Sequence, residues 1–164
     1  MSEDLLIKYP HSILSTPCEP FDFNNPPGDP KELALGMMQV MNKYNAVGLA
    51  ANQVGVPYRV FVMKSSPENF ACFNPKIVFF SEEKETLDEA CLSFPGINVK
   101  VKRSKHIRVR FQAPSGETIS IPFEGLTARV FQHELDHLDG ILFFNKANRY
   151  HRDKALKDFY NGRK

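Results

Sequence analysis

The chain has 164 residues, 42% of them hydrophobic, which suits one compact domain with a substantial core; we predict a single domain over residues 1–164. Twenty-one basic and 19 acidic residues leave a formal charge of +2, which argues against nucleic-acid binding through an overall field and against sequence-specific recognition. No stretch resembles a signal peptide and no apolar run reaches about 18 residues, so we expect an intracellular protein without a membrane span.

The first clear element is a helix that begins near residue 30. Asn24 to Gly28 has loop composition, and Asp29, Pro30 and Glu32 then supply an N-cap, a proline at the first helical position and a capping-box glutamate. The apolar residues that follow have helical spacing and predict one buried stripe: Leu33, Met37, Val40, Met41 and Tyr44.

Strands occupy the middle of the chain. Residues 58–63 predict a buried strand, and residues 73–80 predict another that Pro75 interrupts. Residues 107–111 and 119–123 alternate apolar and polar side chains on either side of a Pro-Ser-Gly turn, which predicts an antiparallel hairpin with one solvated face.

The period changes to helical over residues 126–138, and Asp139-Gly140 provides a stop. The charged tail, residues 149–164, predicts at best a short surface helix. We therefore predict an α+β fold in which antiparallel β-sheets pack around this late, central helix.

Four basic residues lie close together in the sequence, at Lys100, Lys102, Arg103 and Lys105. We interpret them as a solvated strand edge that lysines protect from self-pairing. Weak attraction to ribosomal RNA or to acidic chains is the functional alternative.

The strongest chemical signal is His-Glu-Leu-Asp-His at residues 133–137. Residues four apart lie on one face of a helix, so His133 and His137 can bind one metal ion, while Glu134 can act on water as a general base. The register places both histidines in line with Leu126 and Val130. By this register we predict a solvated opposite face, which carries Arg129, Gln132, Asp136 and Asp139.

A catalytic metal site needs a third protein ligand and an open position for water. Acidic residues and a histidine follow the helix, but without metzincin spacing. The alternative is a cysteine from elsewhere.

The chain has three cysteines, Cys18, Cys72 and Cys91. Their spacings match no disulfide scaffold or zinc ribbon, which suggests a reducing compartment.

Three motifs, in order along the chain, resemble those of peptide deformylases. Residues 48–53 resemble the family's G-L-A-A-x-Q motif, residues 89–93 its E-G-C-L-S motif, and the histidine helix its Q-H-E-x-D-H motif. The resemblance covers essentially the whole domain. It implies a metal-dependent hydrolase that removes the formyl group from the initiator methionine of newly made polypeptides and releases formate.

The resemblance also implies roles for individual residues. Cys91, His133 and His137 would bind the metal and Glu134 would carry protons, while the Gln53 side chain and the Leu92 backbone N–H would hold the developing oxyanion. Cys18 and Cys72 are left as packing residues.

An extended substrate would hydrogen-bond alongside Val47 and Gly48 as an added strand. The methionine side chain needs an apolar pocket, for which the candidates are Phe94, Val130 and Phe131. Core packing explains those three equally well. Two alanines, at positions 46 and 90, replace glycines that are common in the family, which matters if either position needs a positive φ.

Two imidazoles and one thiolate suit iron, zinc, nickel or cobalt, and the resemblance favours Fe²⁺ in the cell. The resemblance further implies that the partners are formyl-methionyl nascent chains near the ribosomal exit tunnel and that the protein is a monomer. The expected location is the cytoplasm, or an organelle or the host cytoplasm if the source is organellar or viral.

Two other functions remain open. One is a zinc endopeptidase, and the other is a noncatalytic binding module whose metal has four protein ligands and serves only folding.

Overall fold

A computed structural model describes residues 5–162, which contain three α-helices and seven β-strands in two antiparallel sheets. The helices are α1 (Pro30–Lys43), α2 (Gly125–Leu138) and α3 (Arg149–Gly162). The strands are β1 (Gly48–Ala50), β2 (Val60–Met63), β3 (Phe70–Phe80), β4 (Lys84–Glu89), β5 (Val99–Ser104), β6 (His106–Gln112) and β7 (Thr118–Glu124).

The larger sheet has the strand order β1-β2-β3-β6-β7, with every pair antiparallel. The predicted hairpin is confirmed as β6 and β7. Strand β3 is longer than predicted and runs through Pro75, because the proline falls where the register shifts between the pairs Phe73–Gln112 and Lys76–Arg110. Proline has no N–H to donate, so a local irregularity in the ladder accommodates it.

The smaller sheet consists of β4 and β5, which the sequence did not predict as a pair. Its alternation corrects the interpretation of the basic cluster. Lys100 and Lys102 are exposed as expected, but Arg103 is only 5% exposed because it occupies an inward position of β5 and pairs with Glu89 and Asp136.

Helix α2 lies between the two sheets, which confirms the predicted α+β fold with a central helix. Its surroundings correct the prediction of a wet face, since Arg129, Gln132 and Asp136 are all buried and hydrogen-bonded. Leu126, expected in the buried stripe, is instead 66% exposed. A helix enclosed on several sides buries its polar side chains wherever partners exist for them.

Helix α1 packs on the opposite face of the larger sheet from α2. Its cap is as predicted, with the Asp29 side chain accepting a hydrogen bond from the backbone N–H of Lys31 and Pro30 in the first turn. The stripe of α1 forms a second core with inward residues of β2 and β3, including Met37, Val40, Met41, Val60, Val62 and Phe73.

The end of the chain forms a longer helix than the predicted short surface helix. Helix α3 has 14 residues and packs against the rest of the domain. Ala155 and Phe159, four positions apart, are buried in a third core with Phe94, Val99 and Phe143. The sequence contains this i, i+4 pair, but the charged residues around it hide the signal.

Helix α2 ends as predicted, with Gly140 in the left-handed region at φ 72°. A Cβ atom there would lie 2.8 Å from the carbonyl carbon of Thr16 and 2.9 Å from the nitrogen of Pro17. Glycine therefore serves both the turn and the close passage of the N-terminal segment.

We expect Gly140→Ala to lower the free energy of unfolding by about 2 kcal/mol or more, because a left-handed non-glycine residue alone costs about 1–3 kcal/mol. Urea unfolding measures the change. Gly28→Ala is the matched control, since a Cβ at Gly28 meets no atom within 4 Å, and its effect should stay within about 0.5 kcal/mol. Equal stability of the two variants would contradict the prediction.

Candidate active site

Helix α2 and the turn after β4 bring together the three predicted metal ligands. His133 and His137 lie one helical turn apart, with ring centroids 5.0 Å apart. Cys91 Sγ is 3.2 Å from Nε2 of His137, and the ligand atoms of all three residues lie within 4.8 Å of one another. Within residues 5–162, this is the one group of three or more histidine, cysteine or acidic side chains whose ligand atoms lie close enough together to hold a metal ion.

The chemistry of these donors fits a divalent metal ion. Burial lowers the pKa of His133, but hydrogen bonds to Cys91 and Glu89 outweigh burial and raise it to about 10. The same two groups would stabilise a metal cation that replaced the proton. Burial lowers the pKa of His137 well below its usual range, which keeps this imidazole in the neutral form that binds metals. Two imidazoles and a thiolate leave one coordination position for water.

Neither of the other two cysteines joins this group. Cys18 and Cys72 are buried in the core between α2 and the larger sheet, as packing residues. A purely structural zinc site needs a fourth protein ligand, and no further cysteine, histidine or acidic side chain among the described residues joins Cys91, His133 and His137 with suitable geometry.

A buried carboxylate, Glu89, orients the first histidine. It accepts hydrogen bonds from His133 Nδ1 at 2.9 Å, from Arg103 Nε at 2.6 Å and Nη2 at 2.9 Å, and from Arg129 Nη1. Burial raises the pKa of Glu89, but the bonds from His133 and Arg103 hold it down at about 2. A carboxylate on one ring nitrogen fixes the tautomer and turns the other nitrogen toward the metal position.

The sequence predicted no role at this site for Glu89, Arg103 or Arg129, and it predicted solvated surfaces for both arginines. Glu89 was visible within its motif beside Cys91, and that position was the available signal. The two arginines come from β5 and from the supposed wet face of α2, so only the tertiary structure reveals that they meet.

Glu134 lies beside the ligand group with a partly unsatisfied carboxyl. It is 4% exposed, and its Oε1 atom has no hydrogen-bond partner among the described residues. Burial raises the pKa of Glu134 to about 7. The carboxyl can therefore accept and return a proton near neutral pH.

Gly48 on β1 provides the space for this carboxyl. A Cβ atom at Gly48 would lie 2.6 Å from Glu134 Oε2 and 3.0 Å from its Cδ. Any larger residue would push the carboxyl out of position, so the predicted small residue has a definite reason in the structure.

Gln53 is buried rather than on the surface. Its Nε2 donates to Ser93 Oγ at 3.0 Å and lies 3.5 Å from Cys91 Sγ, while its Oε1 accepts from the backbone N–H of Ala50 at 2.9 Å. These bonds orient the amide nitrogen toward Cys91. Gln53 and Leu92, the two predicted oxyanion donors, both line a cavity beside the ligand group.

The cavity beside the ligand group has a volume of about 530 Å³. Of the predicted substrate residues, Val47, Gly48 and Val130 line it, whereas Phe94 and Phe131 do not. Phe94 is buried against the His137 ring, at a centroid distance of 6.0 Å, and Phe131 is buried against Phe61 and Phe123 of the larger sheet. Core packing thus accounts for both phenylalanines.

Residues that sequence reasoning did not propose also line the cavity, and they include Tyr44, Leu126 and Arg129. Ala46 and Ala90 line it too, and both have negative φ angles, so neither alanine strains the backbone. Compared with glycine, each alanine adds a methyl group to the cavity wall, which makes the cavity narrower.

This fold and this site are those of a metal-dependent hydrolase with an H-E-x-x-H helix and a cysteine in the metal-capable group. The family model described as polypeptide deformylase matches residues 4–153. The chain belongs to the polypeptide deformylase family, whose known function is the deformylation of newly made polypeptides.

Individual relatives agree with this assignment. The chain is 47% identical to a peptide deformylase of Thermotoga petrophila over 112 residues, 68% of each chain, and 39% identical to one of Aquifex aeolicus over 165 residues, covering 97% and 95%. The crystal structure of an Acinetobacter baumannii peptide deformylase with Met-Ala-Ser bound matches with a TM-score of 0.81 and 34% identity over 86% of this chain and 96% of that one. Within the described residues, no helix is long and apolar enough to cross a membrane.

We expect Glu89→Gln to weaken binding of a divalent ion by about 10- to 100-fold, because an amide offers His133 one neutral acceptor in place of a carboxylate. Competition with a chromogenic chelator measures the dissociation constant for Zn²⁺. Asp88→Asn makes the same chemical change at the adjacent, exposed residue and should leave affinity unchanged. Unaltered affinity in Glu89→Gln would show that Glu89 does not orient the ligand.

Proposed function

We propose that this chain removes the N-formyl group from the initiator methionine of new polypeptides by means of Glu134 and the Cys91, His133 and His137 group. The observation that carries the proposal is the position of Glu134. A buried carboxyl, one oxygen of which has no hydrogen-bond partner among the described residues, lies beside three side chains that could hold a metal ion and against a glycine in a cavity wall. A site that served folding alone would not need that carboxyl.

Cys91, His133 and His137 would hold the metal ion. When bound, the ion would polarise the formyl oxygen and lower the pKa of water toward about 7. Glu134 then takes a proton from the attacking water and returns it to the amine that leaves as the formyl C–N bond breaks, giving formate and a free N-terminal methionine.

The developing negative charge on the formyl oxygen needs donors that are already in place. Gln53 Nε2 is oriented toward Cys91 by its bonds to Ser93 and Ala50, and the backbone N–H of Leu92 follows Cys91 directly. We propose these two groups as the oxyanion donors. Loss of one such donor costs about 3–4 kcal/mol of transition-state stabilisation in other hydrolases.

The substrate would lie as an extended strand beside Val47 and Gly48, which line the cavity next to the start of β1. We propose that Val130 and Leu126 contact the methionine side chain, because both line the cavity from α2. The Acinetobacter relative with Met-Ala-Ser bound supports a peptide ligand of this kind.

We propose Fe²⁺ as the ion in the cell, with Zn²⁺, Ni²⁺ and Co²⁺ as substitutes that the same donors accept. We also propose that residues 1–164 act as one catalytic domain, as a monomer in the cytoplasm, on nascent chains near the ribosomal exit tunnel. The extension of the family match over residues 4–153 supports the single domain.

The first experiment measures formate release from a short N-formyl-methionyl peptide by nickel-loaded protein. We expect release by the wild type and a fall of several orders of magnitude in Glu134→Gln, because the amide cannot accept the proton. The matched control is Glu124→Gln, at an exposed glutamate that precedes α2.

Two outcomes would contradict the proposal. Formate release by Glu134→Gln at the wild-type rate would remove the proton carrier. Internal cleavage of an unformylated peptide, with no formate from the formylated one, would instead favour a zinc endopeptidase.

Activity should decay in air when Fe²⁺ is bound and persist when Ni²⁺ is bound, because oxidation of iron threatens the adjacent thiolate. Formate release is followed over time in air and under argon for both metal forms. Equal decay of the two forms would rule out iron oxidation as the cause.

A further inference from the structure

Part of the outer face of the larger sheet is exposed to solvent and carries basic side chains that form no ion pairs within residues 5–162. Helix α1 covers the outer face of the larger sheet over β2 and the first part of β3. Within residues 5–162, no helix packs on the rest of that face, which belongs to β3, β6 and β7. We call this surface the basic sheet face and define it by four exposed residues, Lys76, Phe79, Arg108 and Arg110.

The strand register places these four side chains together. Lys76 is opposite Arg110, and Phe79 is opposite Arg108, across the β3–β6 pair. Directly opposed residues share a face of the sheet, as do residues two apart in one strand. The intervening Val109 points inward into the core.

The cations of this surface lack acidic partners. Lys76, Arg108 and Arg110 form no ion pair within residues 5–162, and the nearest polar contact is a 3.4 Å hydrogen bond from Arg110 Nε to Ser120 Oγ. Some other surface cations are paired, such as Lys100 with Asp88 and Lys105 with Glu83, so the feature of this surface is that three cations without ion pairs lie next to one another on two adjacent strands. Glu124 of β7 lies diagonally from Arg108 on the same face, but its carboxylate lies 3.4 Å from Nδ1 of His106. Like charges on neighbouring strands repel one another, so three adjacent cations without ion pairs suit an anionic partner.

Edge protection does not explain the two arginines. Lysines and arginines commonly guard the outer strands of a sheet against self-association, but β6 pairs with β3 on one side and with β7 on the other, so Arg108 and Arg110 lie on an interior strand. Lys76 and Phe79 lie beyond the stretch of β3 that pairs with β2, and there edge protection is a sufficient reason for the lysine but not for the ring. Phe79 is 56% exposed, and Val78 and Phe80 on either side are also exposed. An exposed aromatic ring beside basic side chains combines a surface for base stacking with charges for phosphates.

We propose that the basic sheet face binds single-stranded RNA without sequence preference, with Lys76, Arg108 and Arg110 on phosphates and Phe79 against a base. The inner face of the same sheet supports α2, which carries the Cys91-facing histidines. RNA on the outer face therefore leaves the cavity free. The proposal does not depend on the chemistry at Glu134.

Fluorescence anisotropy with a labelled uridine oligonucleotide of about 20 nucleotides tests the proposal, since single-strand sites span about 4–16 nucleotides. Three phosphate contacts on a single strand give an expected slope of about −2 for the logarithm of the binding constant against the logarithm of salt concentration. Each of Lys76→Gln, Arg108→Gln and Arg110→Gln should reduce the slope by about 0.7. Phe79→Ser should weaken binding about tenfold at an unchanged slope.

The matched control removes three exposed lysines from other surfaces, Lys8, Lys31 and Lys84, by substitution with glutamine. It should keep the wild-type affinity, whereas the triple variant of the basic sheet face loses it. All variants should retain the urea midpoint and the rate of formate release, which shows that the loss is not caused by unfolding.

Three results would overturn the proposal. They are an absence of RNA binding by the wild type, an equal loss in the control triple variant, and a slope that the three substitutions do not change. A parallel titration with vesicles of phosphatidylcholine and phosphatidylserine identifies the competitor. If vesicles bind through these residues and RNA does not, the surface is a membrane contact and the RNA proposal is wrong.

Discussion

The buried carboxylate of Glu89 is the group on which the arrangement of the site depends. It accepts hydrogen bonds from two guanidinium groups and one imidazole, which come from β5 and α2. A buried carboxylate without such partners would be costly, and so would either arginine without the carboxylate. The three charged residues therefore fix one another, and with them the relative positions of the smaller sheet, the central helix and the Cys91 turn.

Because α2 is enclosed, nearly every polar group on it has a partner. Gln132 bonds to Ser104, Arg129 bonds to the carbonyl oxygens of Val101 and Glu85, and Asp136 bonds to Arg103. Against this background, two buried atoms on α2 are without partners among the described residues, Glu134 Oε1 and His137 Nδ1. His137 Nδ1 is the ring nitrogen on the side away from Cys91, whereas Glu134 belongs to the cavity wall beside the metal-capable group. An unsatisfied carboxyl oxygen in a well-satisfied helix calls for a particular explanation, and for Glu134 the proposed proton transfer supplies it.

The sequence predicted elements best where one local rule decided the outcome. Asp29 and Pro30 begin α1, Gly140 ends α2, and strict alternation produces β6 and β7. The metal-capable residues followed from i, i+4 spacing together with a motif resemblance. Prediction failed for Arg103 and Arg129, because their charge suggested exposure and only a distant carboxylate makes burial favourable. It failed for Leu126 because helical spacing gives the relative positions of side chains, and the neighbouring elements decide which face opens to a cavity.

Strand β6 shows how one segment can serve two independent purposes. Ile107, Val109 and Phe111 pack inward and are constrained by the core around α2, so changes in their volume would disturb the histidine helix. Arg108 and Arg110 alternate with them and point to solvent, where their replacement costs little stability. Period-two alternation thus separates the residues that hold the catalytic helix from those that give the outer face its charge. Association through that face can change without altering the geometry of Glu134 and the ligand group, because the two sets of side chains never meet.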